Sequence, residues 1–368
     1  MKKNALFLIF FIFFSQYANA QDTLKMLIWE GYAPKHQVQI FKDFIKKKYN
    51  RPIELEISHP SAVIDFYNAL RSKKFHVISP AHNLIKDERF SYIKNNLIIP
   101  IDLQYISNYK YIIKSLQRAR YITDENGNIY GVPLAHGPYA LIYNTKYFQT
   151  APDSWSVLWD KKYKYNYAIS SDYYEANIYI TALRIGFTGE NISDFSKLRN
   201  SELFKKNLEQ LALNAHSLWK GVDTAKELKG LALATSWGFS LDELKKNGEV
   251  WKIAEPKEGN TGWVDNFVLS SALKNKPFLK KVANEWLNFI LSKPFQVDVV
   301  VRQLLSDPVN GSIEKFLTKE EILKHHLNDI NYFEEKRILW PILKEKNYSE
   351  RDVLHNLWKR AIKNRPKQ

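Results

Sequence analysis

Leu24-Lys25-Met26-Leu27-Ile28, an apolar run of strand length, precedes an amphipathic stretch that carries Val38, Phe41, Phe44 and Ile45 on one face. Ile53-Glu54-Leu55-Glu56-Ile57 then alternates with period two. A second amphipathic stretch, with Val63, Phe66 and Leu70 on one side, leads to the short apolar pair Val77-Ile78. Segments of helical period set between segments of strand length predict strand, helix, strand, helix, strand. That alternation is the parallel-sheet pattern of an α/β domain.

Downstream, Asp124-Glu125-Asn126-Gly127 is a turn signal, and Tyr130-Gly131-Val132-Pro133 leads to a strand at Ala140 to Tyr143, where the chain is expected to cross to a second lobe. Tyr167-Ala168-Ile169, Leu231 to Ala234 and Val250 to Ala254 read as strands of that lobe. Helical stretches such as the one bearing Phe204, Leu208 and Leu211 separate them. Pro256-Lys257-Glu258-Gly259 breaks the pattern before a strand at Asn266 to Leu269. A long helix follows with Phe278, Val282, Trp286, Phe289 and Ile290 on one stripe and Pro294 as its stop. A last crossing is expected at Leu305 to Asn310, and the tail from Gly311 reads as helical and basic, without strand signals. The predicted lobes are 21–134 plus 264–310, and 135–263 plus the tail 311–368.

The N-terminus explains where such a protein works. Lys2 and Lys3 precede an uninterrupted apolar run from Ala5 to Phe14, and Ala18-Asn19-Ala20 offers small residues for cleavage, so 1–20 reads as an export signal and the mature chain begins at Gln21. The run is about half the roughly 20 residues needed to cross a bilayer. With no cysteine among 368 residues there is neither a lipid-attachment site nor a disulfide framework, which points to a freely diffusing periplasmic protein stabilised by packing. Beyond the signal, a chain of this length exceeds one hydrophobic core, and two domains are expected. The formal charge is +15; subtracting Lys2 and Lys3 leaves +13. The lysines are scattered over amphipathic helices, as in Lys46-Lys47-Lys48 and Lys280-Lys281, which argues for a solvated surface and against nucleic-acid binding.

Four stretches carry a resemblance. They are Trp29-Glu30-Gly31-Tyr32 with Pro34; Tyr130-Gly131-Val132-Pro133 with Gly137 and Tyr143-Asn144-Thr145; Ser154-Trp155 with Leu158-Trp159-Asp160 and Tyr163-Lys164; and Pro256-Lys257-Glu258-Gly259 with Trp263, Asp265 and Asn266. In this order and spacing the chain resembles the spermidine/putrescine-binding proteins of the bacterial extracellular solute-binding family over residues 24 to 310. The resemblance implies an α/β, two-lobed periplasmic binding-protein fold of type II-like form, with discontinuous lobes closing by a hinge around a ligand in the cleft. It implies a monomer without cofactor or metal that delivers a small cationic amine, such as putrescine or spermidine, to an inner-membrane ABC permease.

The resemblance also places site residues. Asp172, Glu175 and Asp265 fall at ammonium-binding positions, and Trp29, Tyr32, Trp237 and Trp263 at aromatic-wall positions. Carboxylates for the charged ends and ring faces for the methylenes are what a polyamine requires. Where the family has a serine or threonine and a tyrosine after the third strand, this chain has Pro80-Ala81-His82-Asn83, so His82 and Asn83 are taken as replacements lining the cleft. A turn tyrosine is likewise replaced by Leu305-Ser306-Asp307-Pro308. Asp172 and Glu175 also fit a helix capping box, the alternative reading of that pair.

These departures keep other solutes open: thiamine, an amino-acid derivative, an iron complex, or an anion held by arginines. A chemoreceptor partner is a further alternative to an importer component. A cleft hydrolase using Asp172 and Glu175 is the enzymatic alternative. No nucleophile elbow, phosphate loop, dinucleotide fingerprint or metal motif supports it, and the chain reads as a binding protein rather than an enzyme.

Overall fold

The computed structural model describes residues 22–329, 331–344 and 348–366, so the export signal read at 1–20 lies outside the described residues. β1 (Asp22–Leu27), α1 (Lys35–Tyr49), β2 (Ile53–Ser58), α2 (Ile64–Ser72) and β3 (Val77–Ile78) follow the alternation read from the sequence. β1 lies between β2 and β3, parallel to both. α1 turns Phe41 and Ile45 inward and leaves Phe44 exposed, and Asn50 ends it in the left-handed conformation that asparagine tolerates. The chain continues through α3 (His82–Ile85) and β4 (Ile98–Ile99) to β5 (Gly131–Asn144).

The next elements are β6 (Tyr167–Ser170), α4 (Tyr174–Arg184), α5 (Glu202–Leu213), β7 (Ser217–Trp219), β8 (Leu233–Ser236) and β9 (Trp251–Ile253), with shorter helical turns between them. β10 (Asn260–Ser270) and α6 (Pro277–Ile290) return to the first unit. β11 (Asp307–Pro308), β12 (Arg337–Leu339) and α7 (Tyr348–Lys363) complete the order. Among the described residues, no helix is long and apolar enough to cross a membrane.

Two separate hydrophobic cores make this an α/β protein of two lobes. One contains Leu24, Phe41, Phe66, Val132, Val268 and Trp286; the other contains Tyr139, Trp155, Ile169, Leu208, Trp219 and Trp358. β5 joins them. Its first part pairs antiparallel with β10 from Gly131 to Tyr139, and its last residues pair with β8 from Ala140 to Tyr143. The expected strand at Ala140 to Tyr143 is therefore only the end of a 14-residue element. Pro133 and Pro138 hide the rest, because proline in a sequence argues against a central strand.

Two expectations about the chain after α6 change. Pro294 does end that helix, but it also sits in the first turn of the next, where its missing N–H costs nothing, and helical winding resumes to Gln303. The tail is not purely helical, nor does it join the second lobe at residue 311. Ile313, Leu317 and Leu327 pack against Val297 and Val301 on the first lobe. β12 then pairs parallel with Asn260 to Gly262 of β10, and the chain enters the second core from Leu343. Three residues are too few for a strand period to be read.

Candidate ligand-binding cleft

Asp265 stands where the lobes meet. It lies on β10 beside a register shift at Asp265/Asn266, and bridges to Ala81 beyond the end of β3. A bulge there bends the strand and re-aims the side chain. The residue is 7% exposed, and its Oδ2 accepts a 2.5 Å hydrogen bond from the Tyr32 hydroxyl. Burial pushes the carboxyl up to about 7, with the Tyr32 bond pulling the other way. No lysine, arginine or histidine among the described residues pairs with it.

Tyr32 reaches Asp265 because the loop after β1 turns sharply. Gly31 has a φ of +86°, and a Cβ there would stand 2.9 Å from Leu304 Cδ2. Only glycine fits both the conformation and the space. In the same loop, Trp29 donates its backbone N–H to Ser79 Oγ at 3.0 Å and sets its ring edge-on to Phe66, with centroids 5.2 Å apart.

Aromatic rings surround this point. Trp263, two residues before Asp265 and so on the same strand face, lies across Gly137, where a Cβ would be 2.9 Å from its indole. Trp237, just after β8, meets Tyr139 at 5.0 Å, Tyr173 at 4.8 Å and Trp340 at 5.7 Å between centroids. Burial raises the Tyr173 phenol to about 12, and the charges of both Asp172 and Asp265 push the same way, so this ring lies within electrostatic reach of each carboxylate.

The other acids differ from Asp265. Asp172 is exposed; Ser170 Oγ donates to its Oδ1 at 2.9 Å and the Gly221 N–H to its Oδ2 at 3.0 Å. It does not cap α4, whose N-cap residue is Tyr173 and which has no side-chain cap. Glu175 lies in the first turn of α4, 3.5 Å from Arg351 Nη1 of α7. Burial raises its carboxyl, while Arg351, Arg89 and the Tyr174 hydroxyl pull it back. Arg89 pairs with Asp87, which accepts a 3.0 Å bond from Tyr348. Glu175 thus belongs to an electrostatic group that links the first lobe to α7.

His82 is buried with both nitrogens engaged. Its Nδ1 accepts the Val264 N–H at 3.2 Å, which leaves Nε2 to donate to the Trp340 carbonyl at 2.8 Å. Burial lowers it to about 4, so the ring is neutral and acts as a clasp on the tail. Asn83 is 8% exposed with its Oδ1 unpartnered. Asp265, Tyr32, Trp237 and Trp263 are thus brought to one region together with Asp172 at its edge, whereas Glu175 is engaged by arginine. Sequence reasoning missed Tyr173 and Trp340. Tyr173 directly follows Asp172 and could have been noticed; Trp340 sits in a tail segment with no readable period.

The arrangement can hold a cation by one buried, uncompensated carboxylate and flat π faces. Among the described residues no group of three or more histidine and acidic side chains is placed to hold a metal ion.

Comparison with known proteins accords with this architecture. The family model for bacterial extracellular solute-binding protein matches residues 73–322. The spermidine/putrescine-binding periplasmic protein of Salmonella typhimurium is 22% identical over 307 residues, 83% of this chain and 82% of that protein. The spermidine/putrescine ABC transporter substrate-binding protein of Streptococcus pneumoniae superposes with a TM-score of 0.72 at 17% identity, covering 93% of this chain and 100% of the other. A GABA receptor superposes with a TM-score of 0.69 at 15% identity, covering 94% and 99%. Similar folds therefore serve differently named ligands. With two α/β lobes joined through β5 and β10 and a family match spanning most of its length, this chain belongs to the bacterial extracellular solute-binding proteins, binding components rather than enzymes.

Proposed function

We propose that this chain is the periplasmic substrate-binding component of an ABC importer, and that its solute carries an ammonium group taken up between the lobes. Putrescine, spermidine and similar amines are the leading class. The observation that carries the reading is Asp265: a carboxylate 7% exposed, with no cationic partner among the described residues, beside Trp263 and near Tyr173. Ionising such a group without a counter-charge costs free energy that a bound ammonium returns. Tyr32 fixes the carboxylate's direction, Trp237, Trp263 and Tyr173 face the methylenes, and Asp172 offers a second charge nearer solvent. The names of the polyamine-binding relatives support the same class. The proposal includes export to the periplasm through the signal read at residues 1–20 and action as a monomer.

The test is a thermal-shift panel of putrescine, cadaverine, spermidine, thiamine, amino acids and phosphate. A ligand at 100 times its dissociation constant adds about 2.7 kcal/mol of stability. An amine is expected to shift the wild type and not Asp265→Asn. Stabilisation by an anion alone would reject the reading.

A further inference from the structure

The loop after α3 and the helix α7 belong to different lobes, yet they are bonded to each other. Leu84, Ile85, Phe90 and Tyr92 bury the loop in the first core. Leu354, Trp358 and Ala361 bury α7 in the second, where the Trp358 indole also donates to the Ser171 carbonyl at 3.0 Å. Just beyond the helix, Arg365 donates to the Ala215 carbonyl at 2.7 Å. Each element is thus fixed to its own lobe and moves with it.

Asp87 is where they meet. Its side chain is buried, and Arg89 grips both carboxylate oxygens, with Nε 3.0 Å from Oδ1 and Nη2 2.5 Å from Oδ2. Tyr348, the first residue of α7, donates its hydroxyl to Asp87 Oδ1 at 3.0 Å. Two guanidinium groups approach the same tyrosine ring: Arg89 of the first lobe at 5.5 Å from the centroid and Arg351 of α7 at 5.6 Å. Alongside, the Glu88 N–H donates to the carbonyl of Leu343, a buried member of the second core, at 3.2 Å.

A hydrogen bond accepted by a carboxylate is stronger than one between neutral groups, and a guanidinium over a ring face adds to it. The chain itself passes between the lobes through β5, β10 and the stretch from β12 to Leu343. Asp87 and Tyr348 lie outside these crossings, so a swing of the lobes about them parts the pair. The bond forms when the lobes come together and is lost when they separate.

We propose that Tyr348 is a latch: through Asp87 and Arg89 it holds the two lobes together, and it does so before any solute arrives. The latch is made entirely of the protein's own groups, so it acts whatever the solute is. A solute gripped by both lobes then meets a cleft already closed for part of the time, and less of its binding free energy is consumed in closing it.

The experiment measures the distance between the lobes in the ligand-free protein. The chain has no native cysteine, so exposed Lys94 of the first lobe and exposed Lys206 on α5 of the second can be replaced by cysteine and spin-labelled. Pulsed electron paramagnetic resonance then gives the distribution of separations. Tyr348→Phe removes only the hydroxyl and leaves Asp87 with Arg89; it raises the ratio of open to closed molecules at least about fivefold, as loss of a hydrogen bond to a charged group predicts. Tyr348→Leu, which also removes the ring, raises it further, and Ser349→Ala, at the exposed neighbouring position, leaves it unchanged. Hydrogen exchange of the α7 amides stays as slow in both Tyr348 variants as in the parent. The latch is overturned if the distributions of the two Tyr348 variants superimpose on that of the parent, or if Ser349→Ala shifts the distribution as far. It is equally overturned if the α7 amides lose protection, since Tyr348 would then dock the helix on its own lobe rather than join the two.

Discussion

Replacing Asp265 by asparagine separates the cost of a buried charge from its use. In the folded protein burial raises this carboxyl from 3.8 to about 7, so the folded state holds the proton more tightly than the unfolded one. Stability conferred by the site is therefore intact at low pH and declines as pH rises from about 4 to about 7, where the group has ionised in both states. The full difference of about three units corresponds to roughly 4 kcal/mol, and the part incurred between pH 5 and pH 7 to roughly 2.3 kcal/mol. Asparagine does not titrate and still accepts from the Tyr32 hydroxyl. Urea unfolding of both proteins without ligand, at pH 5, 6, 7 and 8, should show the variant gaining on the wild type by about 2–3 kcal/mol across the series and then levelling off. Other titrating groups are common to both chains and cancel in the difference. Putrescine or a longer amine should stabilise only the wild type. A stability difference that stays flat with pH to within about 0.5 kcal/mol would refute the reasoning, since it would mean that Asp265 is not held in its protonated form by burial.

Three further outcomes follow from the same geometry. Amine affinity should fall about tenfold for each pH unit below 7, with close to one proton released per ligand bound at pH 6, as read from calorimetry in buffers of different ionisation enthalpy. Glu175→Gln should alter amine affinity less than threefold in calorimetric titration, because its carboxylate is engaged by the buried Arg351 rather than by ligand; a tenfold loss of affinity would return Glu175 to the cleft. Gly31→Ala should destabilise by about 1–3 kcal/mol in urea unfolding and weaken ligand binding, since a φ of +86° and Leu304 together exclude a side chain and Tyr32 is the next residue.

The sequence reveals what is local and periodic. The first five elements, the second-lobe strands and the stripe of α6 all follow from runs of apolar residues at regular spacing, and Trp263 and Asp265 could be placed because they stand in a recognisable stretch. What escaped it is decided at long range. The partner of Glu175 is Arg351, 176 residues away, and nothing near Glu175 announces it. The sequence around His82 does not show that its two nitrogens are taken by Val264 and Trp340, 182 and 258 residues away. Trp340 and Arg337 belong to a strand of three residues whose existence depends on the edge of β10 rather than on any pattern of its own. Reading Asp172 and Glu175 as a pair failed to anticipate their separation because helix spacing fixes direction only within a helix, and Asp172 precedes one.

The pairing of β12 along β10, itself hydrogen-bonded to β5, has a mechanical consequence. Three strands laid side by side between two bodies form a ribbon, and a ribbon flexes readily out of its plane but resists shear within it, since in-plane slip would break its ladder. In-plane sliding of the two halves is therefore opposed by those ladders, and bending out of the sheet is the softer deformation.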